Sequence, residues 1–149
     1  MPTDLIGSTD EMLSVVKTAW AGADAIVGSV APLIIDLKSP NQEPKVACDA
    51  WARVTIRNQD ADAIALGKRY RNVGTLYVNI FVSKSYRDRS TVPGTTSQRL
   101  AKLVLAALRA HGTSNGQVEL TRVRANEAGT YGIWEQIDVL ADFVYLERN

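Results

Sequence analysis

Long stretches of period-two alternation are what most narrow the possible folds of this chain. Within Lys68–Val82, Leu76, Val78, Ile80 and Val82 fall on one side, and Thr75, Tyr77, Asn79 and Phe81 fall on the other. Ile133–Leu146 repeats the pattern, with Ile137, Val139, Ala141, Phe143 and Tyr145 opposite Gln136, Asp138, Leu140, Asp142 and Val144. Both segments read as strands, and the second reads as the longest in the chain. Because the second face of Lys68–Val82 also carries an aromatic pair, that strand is expected to be central or covered on both sides, with another subunit as one possible cover.

The remaining elements follow from local signals. Ser8 and Glu11 have capping-box spacing, and Met12, Val15, Val16, Ala19, Trp20 and Ala23 recur at helical spacing, which predicts a helix from about Thr9 to Ala25. Pro32–Leu37 reads as a short strand and Ser39–Pro44 as a surface loop. Asp49–Arg57 alternates Ala52, Val54 and Ile56 against Trp51, Arg53, Thr55 and Arg57, giving a half-buried strand. Asn58–Leu66 is polar and reads as a loop, as does the basic interval Ser83–Gly94. Thr95 or Thr96 is placed to cap a second helix built on Leu100, Leu103, Val104, Ala107 and Leu108, ending near His111 and Gly112. Gln117–Arg124 has the pattern of a charge-blunted edge strand, followed by a turn over Asn126–Gly132. Helix, strands, helix, strands without βαβ regularity predicts an α+β fold: one domain over 1–149, with an antiparallel or mixed sheet packed on two main helices.

Composition removes several function classes. A net charge of +1 gives no general pull toward nucleic acid or an anionic membrane. Cys48 is the only cysteine, so an intrachain disulfide and a thiolate zinc cage are excluded. No segment has the length of an apolar spanning helix, and MPTDLIGSTDEM lacks the features of an export signal, so the chain is expected neither to enter a membrane nor to be exported. His111, the sole histidine, stands at a helix end and suits the helix dipole; Cys48 reads as a small filler. Pro93–Ser97 opens a helix without a phosphate-binding lysine, and Asp60 with Asp62, or Asp138 with Asp142, read as solvated charge. No catalytic, cofactor-binding or metal-binding residue is assigned.

Two basic clusters stand out: Lys68, Arg69 and Arg71 around Tyr70, and Lys84, Arg87 and Arg89 around Tyr86, with Arg57 on the polar side of its own strand. Tyr and Arg are the types enriched where proteins meet, and interleaved with aromatics they also bind single-stranded nucleic acid. Interface, solvated surface and nucleic-acid contact all remain open on composition.

The stretch Lys68-Arg-Tyr-Arg-Asn-Val-Gly-Thr-Leu-Tyr-Val-Asn-Ile-Phe-Val82, then a loop, an Ala/Leu-rich helix to Leu108 and a closing segment Trp134–Tyr145, resembles the tail terminator family of long-tailed bacteriophages. A first helix and a strand like Trp51–Ile56 precede it, so the resemblance covers nearly the whole chain. Its most specific part is matched by Arg69, Tyr70, Arg71, Gly74, Val78, Ile80, Phe81 and Val82. The resemblance implies a structural virion protein with no cofactor and no reaction. It implies a six-fold ring seated on the last ring of tail tube protein, halting its growth and offering a face to the head's connector or head-closure protein. Genomic DNA would pass through the lumen without specific recognition, no membrane would be involved, and the site of action would be the virion neck after assembly in the host bacterial cytoplasm. Extra residues between Gly28 and Pro44 and a longer basic loop at Ser83–Gly94 depart from the family pattern and leave open which surface meets which partner. Another neck, tail-completion or head-closure protein is the alternative, followed by a small nucleic-acid-binding domain. On the ring reading, the segments Asn58–Gly67 and Ser83–Gly94 are expected to order against a neighbour or the tube. Tyr77, Phe81, Leu105 and Val144 would then be apolar residues beyond what a monomer's core needs.

Overall fold

The structure is a computed structural model that describes residues 5–35, 48–65, 69–84, 95–111 and 117–148. Helix α1 spans Leu5–Trp20, β1 Ile34–Ile35, β2 Ala50–Ala65, β3 Arg69–Ser83, α2 Thr96–His111, β4 Val118–Tyr131 and β5 Trp134–Arg148. The strands form one sheet in the order β1-β2-β3-β5-β4, with β1 parallel to β2 and every other pairing antiparallel. The fold is therefore α+β, with a mixed sheet and two main helices.

The helices lie on one face, and the alternation decides which residues meet them. Ala52, Val54, Leu76, Val78, Ile80, Val139, Ala141 and Phe143 point to that side and pack with Met12, Val16, Leu100, Val104 and Leu108, all buried. Strand β3 sits in the middle of the sheet, as its two-sided apolar character predicts. Thr95 caps α2 reciprocally with Gln98: the Gln98 N–H donates to Thr95 Oγ1 at 3.3 Å, and the Thr95 N–H donates to Gln98 Oε1 at 3.1 Å. The indole of Trp20 donates to the carbonyl of Ala31 at 3.0 Å, tying the end of α1 to the segment that enters β1.

Several expectations change. Ser8 lies inside α1, which begins at Leu5, so Ser8 and Glu11 form no cap; Ser8 is buried. The Glu11 carboxylate instead accepts the N–H groups of Gln117 and Val118 and a hydrogen bond with His111 Nε2, each at 2.9 Å. It joins α1 to the end of α2 and the start of β4. Asn58–Ala65 is strand rather than loop, because β2 keeps pairing with β3 as far as Ala65. Asn126–Tyr131 likewise continues β4, leaving a two-residue turn at Gly132 and Ile133. Gly132 has φ +59° and Ile133 is not left-handed, which fits a type II′ hairpin. The longest strand is β2 with 16 residues, against 15 for β5. Of the short strand expected at Pro32–Leu37, only Ile34 and Ile35 are strand among the described residues, and Ser39–Pro44 lies outside them.

Helices and strands differ in reach. Sixteen helical residues span about 24 Å, whereas fifteen in a strand span about 50 Å. A long strand of this sheet is thus about twice as long as either helix. Its register shifts all fall in the outer strands: two single-residue bulges in β2 and two in β4, with β3 and β5 pairing without interruption.

Candidate functional site

The sheet face turned away from the helices carries the surface chemistry. Across it, Arg53, Asn79 and Asp138 stand in one row on β2, β3 and β5. Arg53 Nε donates to Asn79 Oδ1 at 3.2 Å, and Asn79 Nδ2 donates to Asp138 Oδ1 at 2.7 Å, which also accepts from Gln136 Nε2 at 2.8 Å. The next polar row centres on Asp142, 3.3 Å from Arg122 and 3.5 Å from Arg124. Asp138 and Asp142 are therefore members of hydrogen-bonded and ion-paired rows, not a pair poised for proton transfer.

One end of this face is closed by the chain itself. Trp51 and Phe81 stack at 4.1 Å with 12° between their planes, Trp134 meets Trp51 edge-on at 6.0 Å, and Ala31, Ile34 and Cys48 pack around them. The Arg53 guanidinium lies 5.0 Å from the Phe81 ring centre, within cation–π range. Phe81 is fully buried, so it belongs to the monomer's own packing and is not spare apolar surface. Burial pushes the Cys48 thiol above its ordinary pKa; the Ala31 N–H opposes this and Asp49 adds to it, as suits a packing residue.

The basic residues singled out from sequence do not form one patch. Arg57 and Arg71 are exposed on β2 and β3 toward the β2–β3 hairpin, whereas Lys84 is exposed just past the opposite end of β3, where its N–H donates to the Ile133 carbonyl at 3.0 Å. Along a strand, those ends are separated by about 40 Å. Arg69 and Tyr70 are backbone members of β3, in register with Ala65 and Ala63 of β2. Lys68, Tyr86, Arg87 and Arg89, and most of the loop expected at Ser83–Gly94, lie outside the described residues. Asp138 and Asp142, read from the sequence as solvated charge, are half-buried in these rows, and nothing in the sequence marks Arg53 and Asn79 as their partners. Their positions on the polar side of each strand were readable, but the register that lines them up was not.

Gly74 gives the "R-Y-R-x-x-G" stretch a physical basis. A β-carbon there would collide with the Arg57 backbone oxygen and the Phe143 ring, so the ring lies directly over the strand at this point. Among the described residues, no group of three or more His, Cys, Asp or Glu side chains gathers as metal ligands would, and no helix is long and apolar enough to cross a membrane.

No family model and no curated protein matches the chain. Solved structures do: one superposes on 92% of this chain and 94% of its own length, with a TM-score of 0.52 at 16% identity. At that identity the likeness establishes the α+β architecture and nothing about activity.

Proposed function

We propose that this chain is a non-enzymatic assembly subunit of the tail-terminator type: a ring former that occupies the growing end of a phage tail tube, stops its elongation and presents the head with a docking face. The observation that carries this reading is a sheet whose strand pairing outruns its buried rows at both ends. Strand pairing runs on past the last buried rows, at Asp62–Ala65 of β2 beyond the row of Asn72 and Tyr145, and at Gly129–Tyr131 of β4 beyond that of Ile137. Such extensions offer a lone monomer little apolar burial, and they suit a subunit whose surface is mostly contact. The motif residues Arg69, Tyr70, Arg71 and Gly74 start the central strand beside the first extension. The acting principle is geometric: one face accepts what another tube ring would accept, and the opposite face does not. Arg57, Arg71 and Lys84 are the exposed bases such contacts would use.

The experiment is deletion of the reading frame in the phage that carries it, with electron microscopy of the lysate. Tails of uncontrolled length without joined heads are expected, and restored joining when the purified chain is added back. Normal virions made without the chain would end this reading.

A further inference from the structure

The outer edge of β4 is finished differently along its length. At its start, Glu11 accepts the Gln117 and Val118 N–H groups, and at the first bulge Arg109 Nη2 donates to the Val123 carbonyl at 3.1 Å and Arg124 Nη1 to the Arg122 carbonyl at 2.7 Å. Side chains thus occupy the edge as far as Val123. From Ala125 to Thr130 no hydrogen bond reaches the outer edge among the described residues, and all six residues are exposed. Five of them are short, and the sixth, Glu127, is held by Gln98 of α2 at 3.2 Å. Beside this stretch α2 and β4 flank a cleft of about 260 Å³, with Ala101, Leu105, Ala125 and Ile137 among its lining and Lys102 at its lip. An open backbone edge next to an apolar cleft is the arrangement that receives an added strand.

The same molecule carries a matching edge on its other side. Strand β1 covers β2 only at Arg53 and Val54, with Val30 bridged to Ala50, and from Thr55 to Ala65 β2 has no outer partner strand among the described residues. Three successive antiparallel pairings make β4 run opposite to β2. A second copy set alongside in the same orientation therefore brings its β2 antiparallel to β4, the sense in which the ladder already runs, with the bulges at Asn58/Asp60, Ala63/Ala65 and Glu127/Gly129 lying along the join.

We propose that copies of this chain join edge to edge, the Ala125–Thr130 edge of β4 pairing with the Thr55–Ala65 edge of β2 in the next copy, beside the cleft that α2 flanks. Two different patches meet, so addition repeats until it closes. The pairing deepens the ring reading above and rests on it for closure.

The test uses the purified full-length chain, with sedimentation from micromolar to millimolar concentration and amide hydrogen exchange on the species formed. Assemblies larger than two copies are expected, with exchange at Ala125–Thr130 and Thr55–Ala65 slowed together by roughly tenfold or more. A chain monomeric at millimolar concentration, a species that stops at two with protection on β4 alone, or assemblies that leave both edges unprotected would each overturn the proposal. Asn126→Pro and Glu127→Pro complete the test. Neighbouring N–H groups in a strand point opposite ways, so one variant removes a ladder bond to β5 and the other only an outward donor. The variant that keeps the parent's melting temperature must lose assembly; if it assembles as before, the proposal fails. Edge-protected assemblies that neither cap tubes nor restore tails would remove the terminator reading and leave this one standing. Tube capping by a chain that never self-pairs would do the reverse.

Discussion

At Gly74 a single hydrogen atom decides whether the sheet can close over its core. The Phe143 ring and the Arg57 carbonyl occupy the space a methyl group would need, and both are fixed by paired strands. Gly74→Ala should therefore lower unfolding stability by about 1–3 kcal/mol, the usual cost of forcing an extra methyl into packed space, measured by urea titration. Glu11 is the second decisive residue. Burial disfavours its charge, but the Gln117 and Val118 N–H groups and His111 together outweigh that and hold the carboxyl below its ordinary 4.5. A carboxyl depressed in the folded state contributes stability that is complete above the unfolded value and is lost as pH falls through the folded one. Glu11→Gln should cost about 1–3 kcal/mol near neutrality, and the gap to the parent should shrink in acid below pH 4.5, read from melting at a series of pH values. The motif containing Gly74 was visible in the sequence, and its reason was not: the glycine answers to a ring far away in the chain. Glu11 misled for the same cause, since its spacing from Ser8 suggested a local cap while its partners lie beyond residue 110.

Among the elements, α2 behaves as a locally specified unit. Its cap, its apolar spacing and its end are all written in adjacent residues, and Thr95→Ala should cost about 1 kcal/mol, seen as a lower urea midpoint with unchanged slope. Strands β3 and β5 were equally legible because one side of each meets the helices and imprints an apolar period. The distal parts of β2 and β4 were not. Each strand carries bulges that break the alternation, β4 lies at the edge of the sheet with Ala125–Thr130 exposed, and Asp62–Ala65 and Gly129–Tyr131 pair beyond the last buried rows. Polar composition there signalled a loop, although the backbone pairs throughout. The candidate site was hidden likewise: Arg53, Asn79 and Asp138 become neighbours only through the register of three strands.

For the whole molecule, charge sets a clear expectation about DNA. A net charge of +1 gives the chain no general pull toward DNA, and of the singled-out bases that are described, Arg57 and Arg71 lie at the opposite end of the sheet from Lys84. Binding to duplex DNA should be weak near physiological salt and should fall steeply as salt rises, whereas association of copies through backbone pairing and apolar contact should change little. Fluorescence anisotropy with labelled duplex, run beside sedimentation at two salt concentrations, separates the two. Tight, salt-resistant DNA binding would instead favour a nucleic-acid-binding domain.

The bulges in the flanking strands have a mechanical consequence. Like a cloth whose hems have been let out while its middle was not, a sheet with extra residues only along its borders cannot lie flat. Its bend is written into the polypeptide, so in the ring proposed above the angle between successive units need not be imposed from outside.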